Sequence, residues 1–74
     1  SVFVLTTQGT VYGWGGHQNR PTKIGFSRKI DRIFAGINNV YGTSNGILYS
    51  CVVSAWEPDK EYVYSCRMLP FKTI

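Results

Sequence analysis

Val40-Tyr41-Gly42-Thr43-Ser44-Asn45-Gly46-Ile47-Leu48-Tyr49-Ser50-Cys51-Val52 is the stretch on which the fold of this chain turns. Asn45-Gly46 tolerates positive φ at both central positions of a type I′ turn, and β-branched and aromatic residues flank it, so the stretch predicts a β-hairpin. Upstream, Val2-Phe3-Val4-Leu5-Thr6 and Val11-Tyr12-Gly13-Trp14 surround Gln8-Gly9 in the same manner and predict a second hairpin. Thr6-Thr7-Gln8-Gly9-Thr10-Val11-Tyr12 aligns with Thr43-Ser44-Asn45-Gly46-Ile47-Leu48-Tyr49 at an offset of 37 residues. A period of that size marks solenoids and propellers, whose units bury their apolar faces by stacking on one another.

Between the hairpins, Pro21-Thr22-Lys23-Ile24-Gly25-Phe26 and Ile30-Asp31-Arg32-Ile33-Phe34-Ala35-Gly36 read as short strands joined by the basic turn Ser27-Arg28-Lys29. Ile30, Ile33 and Phe34 also fit one helical turn, but Gly36 closes the segment early and strand is the expectation. Downstream, Pro58-Asp59 predicts a last turn. A simple register extended from it sets Cys51 opposite Cys66. With Glu57 and Lys60 as a hydrogen-bonded pair, the cysteines form another such pair with α-carbons about 5.5 Å apart, a pairing geometry awkward for a disulfide but not excluding one. One bulge in the turn would separate them. A cross-strand disulfide and two free buried thiols both remain open, with free thiols acting as small hydrophobes the expected state.

The chain has 74 residues, 43% hydrophobic and 16% charged, a composition that folds. So short a chain buries only about 60% of its unfolded surface, and two cysteines do not make the dense framework of a secreted mini-protein. Support from a partner or neighbouring chain is expected. No run approaches the about 18 apolar residues of a membrane span, and the N-terminus lacks the order of a signal peptide. A soluble, intracellular protein, cytoplasmic or nuclear, is the expectation. Ser1 opens inside a strand without a methionine, which suggests a fragment, a processed product or the ordered part of something larger.

Leu5-Thr6-x-x-Gly9-Thr10-Val11-Tyr12-Gly13-Trp14-Gly15, then Pro21-Thr22-Lys23-Ile24, then Ile30-Asp31-Arg32-Ile33-Phe34-Ala35-Gly36 resembles one repeat of the regulator of chromosome condensation family. The second copy keeps Gly46-Ile47-Leu48-Tyr49 but has Cys51 and Val52 where Trp14 and Gly15 stand in the first. A first blade-like repeat over 1–36 is therefore expected, with a degenerate second repeat and C-terminal hairpin over 37–74. The resemblance implies an all-β fold of antiparallel hairpin-based sheets, one to two blades of a larger propeller or assembly. It also implies a rigid platform for protein partners. Relatives in that family include nucleotide-exchange factors for small GTPases, chromatin-docking proteins, ubiquitin-ligase accessory domains, receptors and enzyme inhibitors, and fold alone does not choose among them.

Catalysis has little material in the sequence. His17 is the one histidine and lies in a polar turn with no nucleophile near it in sequence. Glu57, Asp59 and Glu61 share one turn, but calcium requires six or more oxygens. Cys51 and Cys66 lack zinc spacing, and Gly13-Trp14-Gly15-Gly16 is followed by neither Gly-Lys-Ser/Thr nor a helix. The expectation is a non-enzyme without metal, cofactor or small-molecule substrate.

The net charge of +4 is uneven, because five of the eight basic residues, Arg20, Lys23, Arg28, Lys29 and Arg32, lie within residues 20–32. Such a stretch keeps a strand-rich surface soluble. It also suits docking on an acidic protein surface, or, with Trp14, Phe26 and Tyr41 nearby, on a nucleic acid. The aromatic set Phe3, Tyr12, Trp14, Tyr41, Tyr49, Trp56, Tyr62 and Tyr64 is expected mostly in the core, with Trp56 as an exposed anchor. The function expected is a protein-interaction scaffold whose partner-binding residues are His17, Asn19, Arg20, Arg28, Lys29, Arg32 and Trp56. The alternatives are nucleic-acid or ribonucleoprotein binding through 20–32 and exchange-factor-like regulation of a small GTPase.

Overall fold

The computed structural model describes residues 1–15, 18–55 and 62–73. Seven strands run through them: β1 Val2–Leu5, β2 Val11–Gly15, β3 Gln18–Ile24, β4 Arg32–Ala35, β5 Asn39–Ser44, β6 Ile47–Ala55 and β7 Val63–Lys72. The fold is all-β, with two antiparallel sheets of order β1-β2-β3 and β4-β5-β6-β7. Strand wins over a helical turn in β4, whose Ile33 and Phe34 pair with Gly42 and Tyr41. β4 belongs to the second sheet, although the repeat places its residues at the close of 1–36.

Both hairpins form, with turns that differ by one residue. In the first, the Gly9 N–H donates to Thr6 O at 3.0 Å and the Thr6 N–H to Thr10 O at 2.9 Å. Gly9 is left-handed at φ +84°, so the loop is a type I turn closed by a left-handed glycine. In the second, Asn45 at φ +50° and Gly46 at φ +79° make the two-residue I′ turn that their sequence predicts. Val11 consequently faces Leu5, whereas Leu48 faces Thr43. After the turns the copies align at an offset of 37 residues; before them Leu5, rather than Thr6, is the structural counterpart of Thr43.

The sheets share one core. Val11 and Ile24 enter from the first sheet, Val40, Tyr49 and Cys51 from the second, and Phe26 and Ile30 from the connection between them. Gly42 leaves room for the Phe26 ring, which would stand 3.0 Å from a β-carbon there. The connection, residues 25–31, is held between the two hairpin turns. The Ile30 N–H donates to Gly9 O at 2.9 Å and the Asp31 N–H to Thr43 O at 2.7 Å. Ser44 Oγ donates to Lys29 O at 2.8 Å, and the Asn45 N–H donates to the Asp31 carboxylate at 3.0 Å. Burial of Ile30 between these bonds contributes about 2 kcal/mol.

Cys51 and Cys66 are joined in a disulfide, which corrects the expectation of free thiols. The register counted outward from Pro58-Asp59 holds, since Ser50, Cys51 and Val52 face Arg67, Cys66 and Ser65. The error lies in the pleat. An irregularity between Val53 and Ala55 shifts the pairing by one, and the cysteine α-carbons stand 4.0 Å apart, the close spacing of non-hydrogen-bonded pairs. The Pro58-Asp59 turn itself lies outside the described residues, as do Glu57 and Glu61.

Candidate functional site

The hairpin turns and the connection define one end of the molecule, and the opposite strand ends define the other. At the turn end, Thr10, Lys23, Ser27, Arg28 and Lys29 line a hollow of about 250 Å³. Ser27 takes the left-handed conformation at φ +65°, uncommon for a residue with a side chain, and so bends the connection around this hollow. Arg32 opposes Thr43 next to the second turn, so Lys23, Arg28, Lys29 and Arg32 all sit at this end.

Asn19 and Arg20 do not join them. They are exposed near the start of β3, and the four residues from Arg20 to Ile24 carry the strand about 13 Å further. The structure thus divides the expected partner-binding set between two ends. His17 and Trp56 lie outside the described residues.

Arg28 has an internal occupation that nothing near it in the chain announces. Its guanidinium lies 4.2 Å from the centroid of the Tyr49 ring. Nη1 donates to Tyr49 Oη at 2.6 Å, and Nε donates to Phe26 O at 3.2 Å. Arg28→Ala is expected to lower stability by about 1 kcal/mol, through a cation–π contact and hydrogen bonds near the surface. The melting temperature should fall by about 5 °C. Arg28→Lys should recover little of it, lacking the planar fork. Unchanged melting of Arg28→Ala would show that the stacked pair contributes nothing.

The far end carries a larger feature. A cleft of about 770 Å³ opens between β1 and the second sheet, walled by Phe3, Tyr41, Val52, Val53, Tyr62 and Tyr64. Tyr62 and Tyr64 meet edge to face at 6.4 Å and 68°. Asn39 Nδ2 donates to Tyr41 Oη at 2.8 Å, which holds the phenol at the rim. Burial first, and the neighbouring Tyr62 second, raise the Tyr64 pKa above the usual tyrosine value. Ile37 stands beside the cleft almost wholly in solvent, at 98% exposure.

No family model, curated protein or solved structure matches the chain.

The aromatic residues depart from expectation. Among the described members of the set, Tyr49 alone is buried; Phe3, Tyr12, Trp14, Tyr41, Tyr62 and Tyr64 are half-buried. Four of them, Phe3, Tyr41, Tyr62 and Tyr64, face the cleft. The chemistry there is mixed, with aromatic and aliphatic walls beside tyrosine hydroxyls and the polar Ser1, Asn38 and Asn39. One signal for it was present in the sequence: the two-residue spacing of Tyr62 and Tyr64 puts both on one face of β7 and its approach. That face meets β1 only through tertiary packing. Among the described residues, no three His, Cys, Asp or Glu side chains gather as a metal site. No helix long and apolar enough to cross a membrane occurs among them either.

Proposed function

We propose that this chain is a non-catalytic protein-interaction scaffold, a segment of a propeller of the regulator of chromosome condensation type within a larger complex. The observation that carries the reading is the repetition of one unit. β1-β2-β3 and β5-β6-β7 follow the same antiparallel order, and each has a left-handed glycine closing its first turn, Gly9 in one and Gly46 in the other. Units of that kind stack into platforms that offer loops and strand ends to partners. The working surface in this reading is the turn end with Arg28, Lys29 and Arg32, assisted from the strand ends by Asn19 and Arg20.

Nucleic-acid binding is the second reading, favoured by Lys23, Arg28 and Lys29 around one hollow. Native mass of the particle and the salt dependence of partner binding separate the two. A scaffold should appear in a particle heavier than 74 residues, and its binding should weaken little with salt. A nucleic acid held by phosphate contacts should be lost steeply as ionic strength rises. Binding unchanged after alanine substitution at Arg28, Lys29 and Arg32 together would remove the electrostatic surface from both readings. A folded monomer without any partner would overturn the scaffold.

A further inference from the structure

The hollow of about 250 Å³ at the turn end is lined by the cations Lys23, Arg28 and Lys29, and no carboxylate stands among its described walls. None of the three is paired with an acid among the described residues. Asp31, the acid nearest to them in sequence, accepts the Asn45 N–H. Arg28 spends Nη1 on Tyr49 Oη and Nε on Phe26 O, which leaves Nη2 without a partner among the described residues. Main-chain donors join these charges. Ser27 is left-handed between residues that are not, and successive amides around such a reversal face one concavity. The Phe26 N–H closes back on Ile24 O and the Ile30 N–H on Gly9 O, whereas the N–H groups of Ser27, Arg28 and Lys29 between them make no hydrogen bond among the described residues. The stem of Lys29 lies against Gly9, where a β-carbon would collide with its Cγ, and this anchors the side chain beside the turn. Lys23, Ser27, Arg28 and Lys29 are all exposed, so a solute reaches them without rearrangement of the fold.

We propose that this hollow binds a phosphate monoester end-on, its terminal oxygens on the amides of Ser27, Arg28 and Lys29 and its charge shared by Lys23, Lys29 and Arg28 Nη2. A monoester gathers a nearly doubled negative charge and all its terminal oxygens on one end, which matches several cations beside a row of amides. A diester carries chain on both sides of its phosphorus and holds a single charge, so it lies across the mouth of the hollow rather than entering it. A free phosphate ion and the phosphorylated side chain of a partner share the chemistry the hollow selects. The inference goes beyond the scaffold and the nucleic-acid readings and depends on neither.

The experiment titrates the whole chain at fixed ionic strength, followed by amide NMR, with inorganic phosphate, a blocked phosphoserine and dimethyl phosphate as probes. Phosphate and phosphoserine are expected to bind saturably and to move the Ser27, Arg28 and Lys29 amides most. Tighter binding of phosphoserine marks a modified side chain as the source, equal affinity marks the free ion, and either result upholds the site. Dimethyl phosphate should bind about tenfold more weakly. Lowering the pH through about 6 protonates the monoester and should weaken its binding. Lys23→Gln and Lys29→Gln keep the methylene stems and should each weaken phosphoserine about fivefold, with unchanged melting. Unchanged affinity in the double variant overturns the proposal. So do shifts that do not saturate, shifts as large at Arg67 and Lys72 as at Ser27, or dimethyl phosphate bound as tightly as the monoesters. That last result would give the hollow to a diester backbone and support the nucleic-acid reading, whereas the particle mass that decides the scaffold reading leaves the titration intact.

Discussion

Gly9→Ala should unfold this protein far more readily than Gly46→Ala, although the two glycines share nearly the same backbone conformation. Their φ values are +84° and +79°, and an L-residue there costs about 1 to 2 kcal/mol on backbone grounds. Their surroundings differ. A β-carbon on Gly9 would stand 2.2 Å from Lys29 Cγ and 3.1 Å from Ile30 N, where the connection lies against the turn. On Gly46 the nearest atom is Thr73 O at 3.6 Å, an ordinary contact. Adding an overpacking cost to the backbone cost gives a loss of about 3 kcal/mol for Gly9→Ala and about 1 kcal/mol for Gly46→Ala. Thermal melts of the two variants should fall by about 15 °C and about 5 °C. Equal losses would mean that the connection is not seated on the first turn.

Removal of the disulfide is the second large effect. Cys51 and Cys66 are 15 residues apart in sequence, and a cross-link closing a loop of that length stabilises by about 3 kcal/mol through the unfolded chain. A domain of this size has a total stability of roughly 4 to 11 kcal/mol, so reduction should remove a large part of it. Melting with and without reductant, beside an intact mass that identifies the oxidised chain, measures the effect. Cys66→Ser should behave like the reduced protein, because it too leaves the loop open. Identical melting in both redox states would exclude a stabilising cross-link. The bridge also bears on the expected intracellular location, since disulfides persist chiefly in oxidising surroundings.

The strands and both first turns were legible because their signals are local. Asn45-Gly46 specifies its own turn chemistry, and Val, Ile and Tyr favour a pleated surface wherever the chain goes. The facing of Cys51 and Cys66 was legible for the same reason, as it needs only a turn and a count. What defeated the sequence were features set at a distance. The irregularity between Val53 and Ala55 shifts the pairing by one there, and Cys51 still faces Cys66 but at the close spacing of a non-hydrogen-bonded pair. Arg28 read as a free surface charge because nothing near it in sequence announces Tyr49, 21 residues away. The cleft draws its walls from β1, β5, β6, β7 and the approach to β7, and the half-burial of its aromatics follows from that assembly.

The connection between the sheets also orders the events of folding. Each hairpin can close on contacts between near neighbours, a process of microseconds. The connection cannot, because its Ser44–Lys29 and Asn45–Asp31 bonds span 15 and 14 residues and require a finished second turn as their template. Its bond from Ile30 to Gly9 needs the first turn as well. These spans predict that residues 25–31 dock late and together, with the folding barrier where two preformed hairpins close on the strip of chain that joins them; folding φ-values near zero in 25–31 would be the expected result.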